Sequence, residues 1–181
     1  MIASAVQSDD SAQPNASLAS ARKLVATYQL ADGTVLTMPD LAEFEALARQ
    51  YGKAADVELF RLLHRTYPDS HTAAYVTQTG EHSRCTNFAP GVFVPLYGDW
   101  LKFVKAHPDL YTDVGRREIS AMEHELVSGK CACASAKVVG QALNAFVKAY
   151  PRGDVTPEVE GRLDQIKRRR PDFQFECMGL D

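Results

Sequence analysis

The chain lacks any apolar run near the roughly 20 residues that crossing a bilayer requires, so a membrane-embedded protein is not expected. It also lacks a strong charge bias. Twenty Lys and Arg stand against 23 Asp and Glu, a formal net charge of -3, so no overall field draws it to nucleic acid or to an anionic membrane. The amino terminus has no basic region followed by an apolar core; Met1 to Ser20 mixes Ser, Ala, Asp, Asn and Gln. That composition argues against a Sec signal peptide. The expectation is a protein that stays in the cytoplasm, with export by a non-Sec route as the alternative. There is no internal repeat and no linker long enough to divide the chain. Residues 1 to 20 are read as a disordered polar tail, because ordering them would cost backbone entropy that no burial offsets, and residues 21 to 181 as one globular domain.

Cysteine is scarce and unevenly spaced. Four in 181 residues do not make a disulfide scaffold, and in a reducing compartment they are thiols by default. Cys131 and Cys133 are separated by one residue, Cys85 and Cys177 stand alone, and the CxxC pairs of a zinc ribbon are missing. Tryptophan occurs once, at Trp100, in the stretch from His71 to Val104 that is expected to lie at the centre of the core.

What remains is an ordinary globular composition, 45% hydrophobic and 24% charged. Lys23 to Met38 reads as two β-prone runs joined at Asp32-Gly33, where Gly supplies the positive φ of a tight hairpin. Pro39 and Asp40 open a helix ending at Gly52, and a second runs from Ala55 to about Thr66. Thr72 to Thr79 and Val92-Phe93-Val94 are strand candidates. Asp99 is placed to cap a short helix through Trp100, Leu101, Phe103 and Val104. Later helices are expected over about 113 to 127, from a start near Cys131 to Ser135 on to Tyr150, and from Thr156-Pro157 to about Arg169. In the last segment Phe173, Phe175 and Cys177 alternate with Gln174 and Glu176, which predicts a strand in one sheet with the Asp32-Gly33 hairpin, under Val139, Leu143 and Phe146. The fold class is α+β, a small mixed or mainly antiparallel sheet with helices on one face.

Four groups of residues carry chemical capability. His82 and Cys85 share a polar loop, where an imidazolium would favour a nucleophilic thiolate; the plain alternative is a packed cysteine beside a surface histidine. Cys131 and Cys133, expected at a helix start beside Lys130, offer half a zinc site that Cys85, Cys177, His82 or His124 would have to complete. His124-Glu125 matches the first half of HExxH, but Ser128 replaces the second histidine and removes a ligand outright. Lys167, Arg168, Arg169 and Arg170 form a basic run for nucleic-acid contact, though cations in the last helical turn also complement the dipole there. The leading expectation is an accessory or protein-interaction module without its own catalysis and without a cofactor, its partner another protein. The alternatives are a cysteine- or zinc-dependent enzyme centred on Cys85, His82, Cys131 and Cys133, and nucleic-acid contact through the basic helix end.

Overall fold

A computed structural model describes residues 24–29, 33–69, 71–78, 83–169 and 172–177. The amino-terminal hairpin is β1 (Val25–Gln29) antiparallel to β2 (Val35–Pro39). Burial alternates along both strands, as the sequence pattern requires, and Gly33 adopts φ +84° at the turn. No residue of either strand is fully buried, and the hairpin is a sheet of its own.

Helix α1 (Leu41–Tyr51) starts where Asp40 accepts the N–H groups of Ala42 and Glu43, each at 3.1 Å. At the other end Gly52 is needed for space, since a Cβ there would sit 2.7 Å from the Ala48 carbonyl. Helix α2 (Ala54–Thr66) packs back on α1 and sends Leu59 and Leu62 into the core. Strands β3 (Val76–Gln78) and β4 (Arg84–Thr86) pair antiparallel.

Val92 to Val94 is not a strand. Helix α3 begins at Phe93 and runs to Ala106, accepting Pro95 in its first turn, where the missing N–H has no intrahelical partner to lose. Asp99 is therefore mid-helix, bound to Arg65 at 2.6 Å and Lys102 at 3.2 Å, and caps nothing. The longer helix puts Phe93, Leu96, Tyr97, Trp100 and Phe103 on one buried stripe. Trp100 is wholly enclosed, and its indole N–H donates to Thr66 Oγ1 at 3.0 Å.

Helix α4 (Thr112–Ser128) packs along α3, the close approach made by Gly115, whose Cβ would meet Val104 at 2.5 Å. Helices α5 (Ala136–Ala149) and α6 (Thr156–Lys167) form a further pair. Val139, Leu143 and Phe146 of α5 are fully buried in the cluster that also holds Trp100, Met122, Leu126 and Val159. Thr156 does not cap α6; its hydroxyl donates instead to the Tyr150 carbonyl at 2.6 Å. The fold is α+β, with two small antiparallel sheets where one was expected.

Residues 130–134 are extended rather than the start of α5. Thr86 and Cys133 exchange backbone bonds with them on one side, Thr86 N–H to the Cys131 carbonyl at 2.7 Å and Cys133 N–H to the Thr86 carbonyl at 3.0 Å. On the other side lie residues 172–177. The carboxy-terminal ribbon thus joins β4 through residues 130–134, both contacts parallel, and not the Asp32-Gly33 hairpin.

Candidate functional site

The four cysteines converge on this three-ribbon seam. Extended backbone sends Cys131 and Cys133 to one face and Ala132 to the other, where Ala132 is completely buried. From that face Cys133 is bonded to Cys85 of β4, with Cα atoms 5.1 Å apart, and Cys131 to Cys177 of the outer ribbon, with Cα atoms 6.0 Å apart. No described cysteine is free, contrary to the expectation of thiols. A thiolate at Cys85 therefore needs a prior two-electron reduction, and thiolate ligation of zinc by Cys131, Cys133 and Cys85 needs both bonds reduced, four electrons in all. His82 lies outside the described residues. No group of three or more His, Cys, Asp or Glu among the described residues is arranged to hold a metal.

The seam rests on two buried charged residues that belong to apolar stripes of their helices. Glu125 of α4, one turn past Met122, accepts the Thr86 hydroxyl at 2.6 Å, and Arg84 lies 3.7 Å from its other oxygen. Gly129 is essential to this contact, because a Cβ there would stand 2.6 Å from Thr86 Oγ1 and 3.1 Å from the Glu125 carboxylate. Arg162 of α6, one turn past Val159, is 4% exposed. Its guanidinium donates to the carbonyls of Glu125 at 3.0 Å, Leu126 at 2.7 Å and Gly129, at the carbonyl end of α4. Phe173 of the outer ribbon covers it, with Cζ 3.8 Å from the ring centroid. Burial pushes the Arg162 pKa below its ordinary value, and Nε finds no partner among the described residues.

The outer ribbon is held closely to balance. Ordering its six residues costs about 6 to 12 kcal/mol at about 1 to 2 each. Four backbone hydrogen bonds return about 4 kcal/mol. Burying Phe173 adds about 1.5 to 3 kcal/mol, and its stack on Arg162 about 2. Phe175 packs against the core as well, so these gains and that cost are of similar size, and the Cys131–Cys177 bond adds covalent closure to them.

A second polar line runs beside α4. Tyr67 donates to Glu118 Oε2 at 2.9 Å beside the buried Tyr75. Burial raises the Tyr67 phenol to about 12 and lifts the Glu118 carboxyl above its ordinary value. Tyr97 likewise donates to Glu123 at 2.6 Å. Histidines are used similarly: His64, His71 and His107 each face a carboxylate, of Glu45, Asp69 and Glu58. His124 is exposed on α4, and Ser128, in place of a second histidine, is the last residue of that helix. Lys167, paired with Asp164, ends α6; Arg168 and Arg169 are exposed just beyond it, and Arg170 lies outside the described residues.

At the far end of α1 the surface is apolar. Tyr51 is 75% exposed, and Leu47 one turn earlier is also uncovered. The turn between α3 and α4 brings exposed Leu110 and Tyr111 to the same corner, since Tyr111 donates to Asp56 at 2.6 Å and Asp56 accepts the Lys53 N–H at 2.7 Å. Tyr111 holds φ +57°, a left-handed conformation uncommon for a non-glycine residue. Among the described residues no helix is long and apolar enough to cross a membrane.

No protein family, curated protein or solved structure matches the chain significantly.

The sequence names all four cysteines, Cys177 only as a possible completing ligand, but does not pair them as disulfides. Glu125 appears there in the half-matched HExxH motif, and Arg162 is given no role. The available signal was positional: both occupy the apolar spacing of their helices, at Met122 plus three and Val159 plus three, where a charge must be either paired or an interruption of the stripe.

Proposed function

We propose that this chain is a disulfide-stitched binding module that works in an oxidising compartment and engages another protein without catalysis of its own. The observation that carries the reading is the use of all four cysteines as structural bonds between ribbons. Such bonds persist where thiols are not kept reduced, which favours export over residence in the cytoplasm. The side chains with catalytic capability near the seam are committed to structure in the same way, Glu125 to Thr86 and Arg162 to three carbonyls. The corner of Leu47, Tyr51, Leu110 and Tyr111 supplies what a partner needs, aromatic and aliphatic area left exposed among the described residues.

The test is co-purification of a tagged chain with its partner from the producing cell, comparing the parent with Tyr51→Glu and Leu110→Glu. Both positions are exposed, so the melting temperature should hold while capture of the partner weakens roughly tenfold or more, the scale of a hot-spot contact. Capture indifferent to both substitutions contradicts the assignment of this corner.

A further inference from the structure

Going beyond that reading, we propose that Cys131–Cys177 is a redox latch: its reduction by a dithiol frees residues 172–177 from the seam while the helical body stays folded.

The two disulfides differ in what they secure. Cys85 and Cys133 each lie in a segment that ordered elements flank on both sides along the chain, β3 and α3 about β4, α4 and α5 about residues 130–134. Breaking that bond leaves both ribbons tethered by their neighbours. Cys177 instead closes a short ribbon that follows α6, and the other attachments of this ribbon are few. Gln174 donates to the Lys130 carbonyl at 2.9 Å and accepts from Ala132 at 2.9 Å; Glu176 donates to Ala134 at 3.2 Å and Cys177 to Ala132 at 3.1 Å. Phe173 adds its stack on Arg162. Those gains, with the packing of Phe175, and the entropy of ordering the ribbon are of similar size, and the covalent bond adds closure to them.

The chemistry balances with an external dithiol as reductant. Its thiolate attacks the sulfur of Cys131, the less buried partner, and Cys177 leaves as a thiolate that takes up a proton. The reductant's second thiol then attacks its own sulfur in the mixed disulfide and releases Cys131 as a thiol. Two electrons and two protons pass to the protein, and the reductant closes to a disulfide. The seam then presents the Ala132 N–H, the carbonyls of Lys130, Ala132 and Ala134, and the uncovered guanidinium face of Arg162.

Amide hydrogen exchange tests this on three full-length proteins: the parent, Cys131→Ser with Cys177→Ala, and Cys85→Ala with Cys133→Ser. In the first double variant the amides of Ala132, Gln174, Glu176 and residue 177 should exchange roughly tenfold faster or more, while those of Thr86, residue 133, Val139 and Phe146 keep their parent rates. In the second double variant the ribbon amides should stay slow. The parent treated with dithiothreitol, quenched with an alkylating reagent and peptide-mapped, should give the same pattern once Cys131 and Cys177 carry the label. Ribbon amides as slow without the latch as with it overturn the proposal. So does a uniform loss of protection in both the latch variant and the reduced parent, which would make the ribbon part of one cooperative unit with the helices.

Discussion

Removing the inner disulfide tests how much of the fold is held by covalent stitching. Cys85 and Cys133 are 48 residues apart in sequence, and closing a loop of that size restricts the unfolded chain by about 4 kcal/mol in the loop-entropy treatment. A domain of ordinary stability has only about 5 to 15 kcal/mol in total, so this one bond is a large fraction of the margin. Replacements should add little of their own. Cys85 is 1% exposed and takes Ala, since a Ser hydroxyl there would be buried; Cys133 is half-buried and takes Ser. The double variant should unfold in urea with a loss of about 2 to 5 kcal/mol and a slightly larger m value, because a chain with one cross-link fewer exposes more surface when it unfolds. The second loop, Cys131 to Cys177 with a separation of 46, overlaps the first only at residues 131–133, so it does not replace the lost constraint. A loss below about 1 kcal/mol, with unchanged m, refutes the idea that the seam depends on this bond.

Three further outcomes follow from the packing. Glu118→Gln should raise stability at neutral pH: burial raises the Glu118 pKa above 4.5, so the folded protein holds that proton more tightly than the unfolded chain and loses stability as pH climbs from 4.5 through the raised value. The gain should vanish below pH 4.5 in melting curves across that range, and a gain that persists there assigns it to something other than the proton. Gly129→Ala should cost about 1 to 3 kcal/mol by urea titration, because the new methyl meets the Thr86–Glu125 pair with nowhere to go; a neutral result means α4 ends more loosely than described. Leu143→Ala, at a fully buried position of α5, should cost about 2 to 5 kcal/mol through the cavity it leaves, and a loss under about 0.5 would make α5 peripheral.

Helices were legible in the sequence wherever period and caps agreed. Asp40 and Gly52 bracket α1 as read, and the stripe Val139, Leu143, Phe146 is buried as read. The start of α3 was misread because Val92-Phe93-Val94 between Gly91 and Pro95 has strand composition, and burial against Tyr75 and Phe88 outweighed that local preference. The Phe173–Cys177 alternation correctly signalled an extended segment, but alternation carries no partner, so the wrong sheet was expected. Cysteine spacing failed for a like reason: four cysteines admit three pairings, and which sulfurs meet depends on residues 130–134 running between β4 and the outer ribbon, a contact between segments more than 40 positions apart. Glu125 and Arg162 were missed because a charge on an apolar stripe declares its partner only once the neighbouring helix end is in place.

The most direct test of the central claim is the bonding state of the cysteines in the cell that makes the protein. Cells are quenched in acid, free thiols are blocked with an alkylating reagent, and the purified chain is digested without reductant for mass spectrometry. The account predicts no blocked cysteine and two cross-linked peptide pairs, Cys85 with Cys133 and Cys131 with Cys177. Four blocked thiols on a chain whose melting temperature does not change with dithiothreitol would contradict it, and would return Cys85, Cys131 and Cys133 to the cysteine- or zinc-dependent reading.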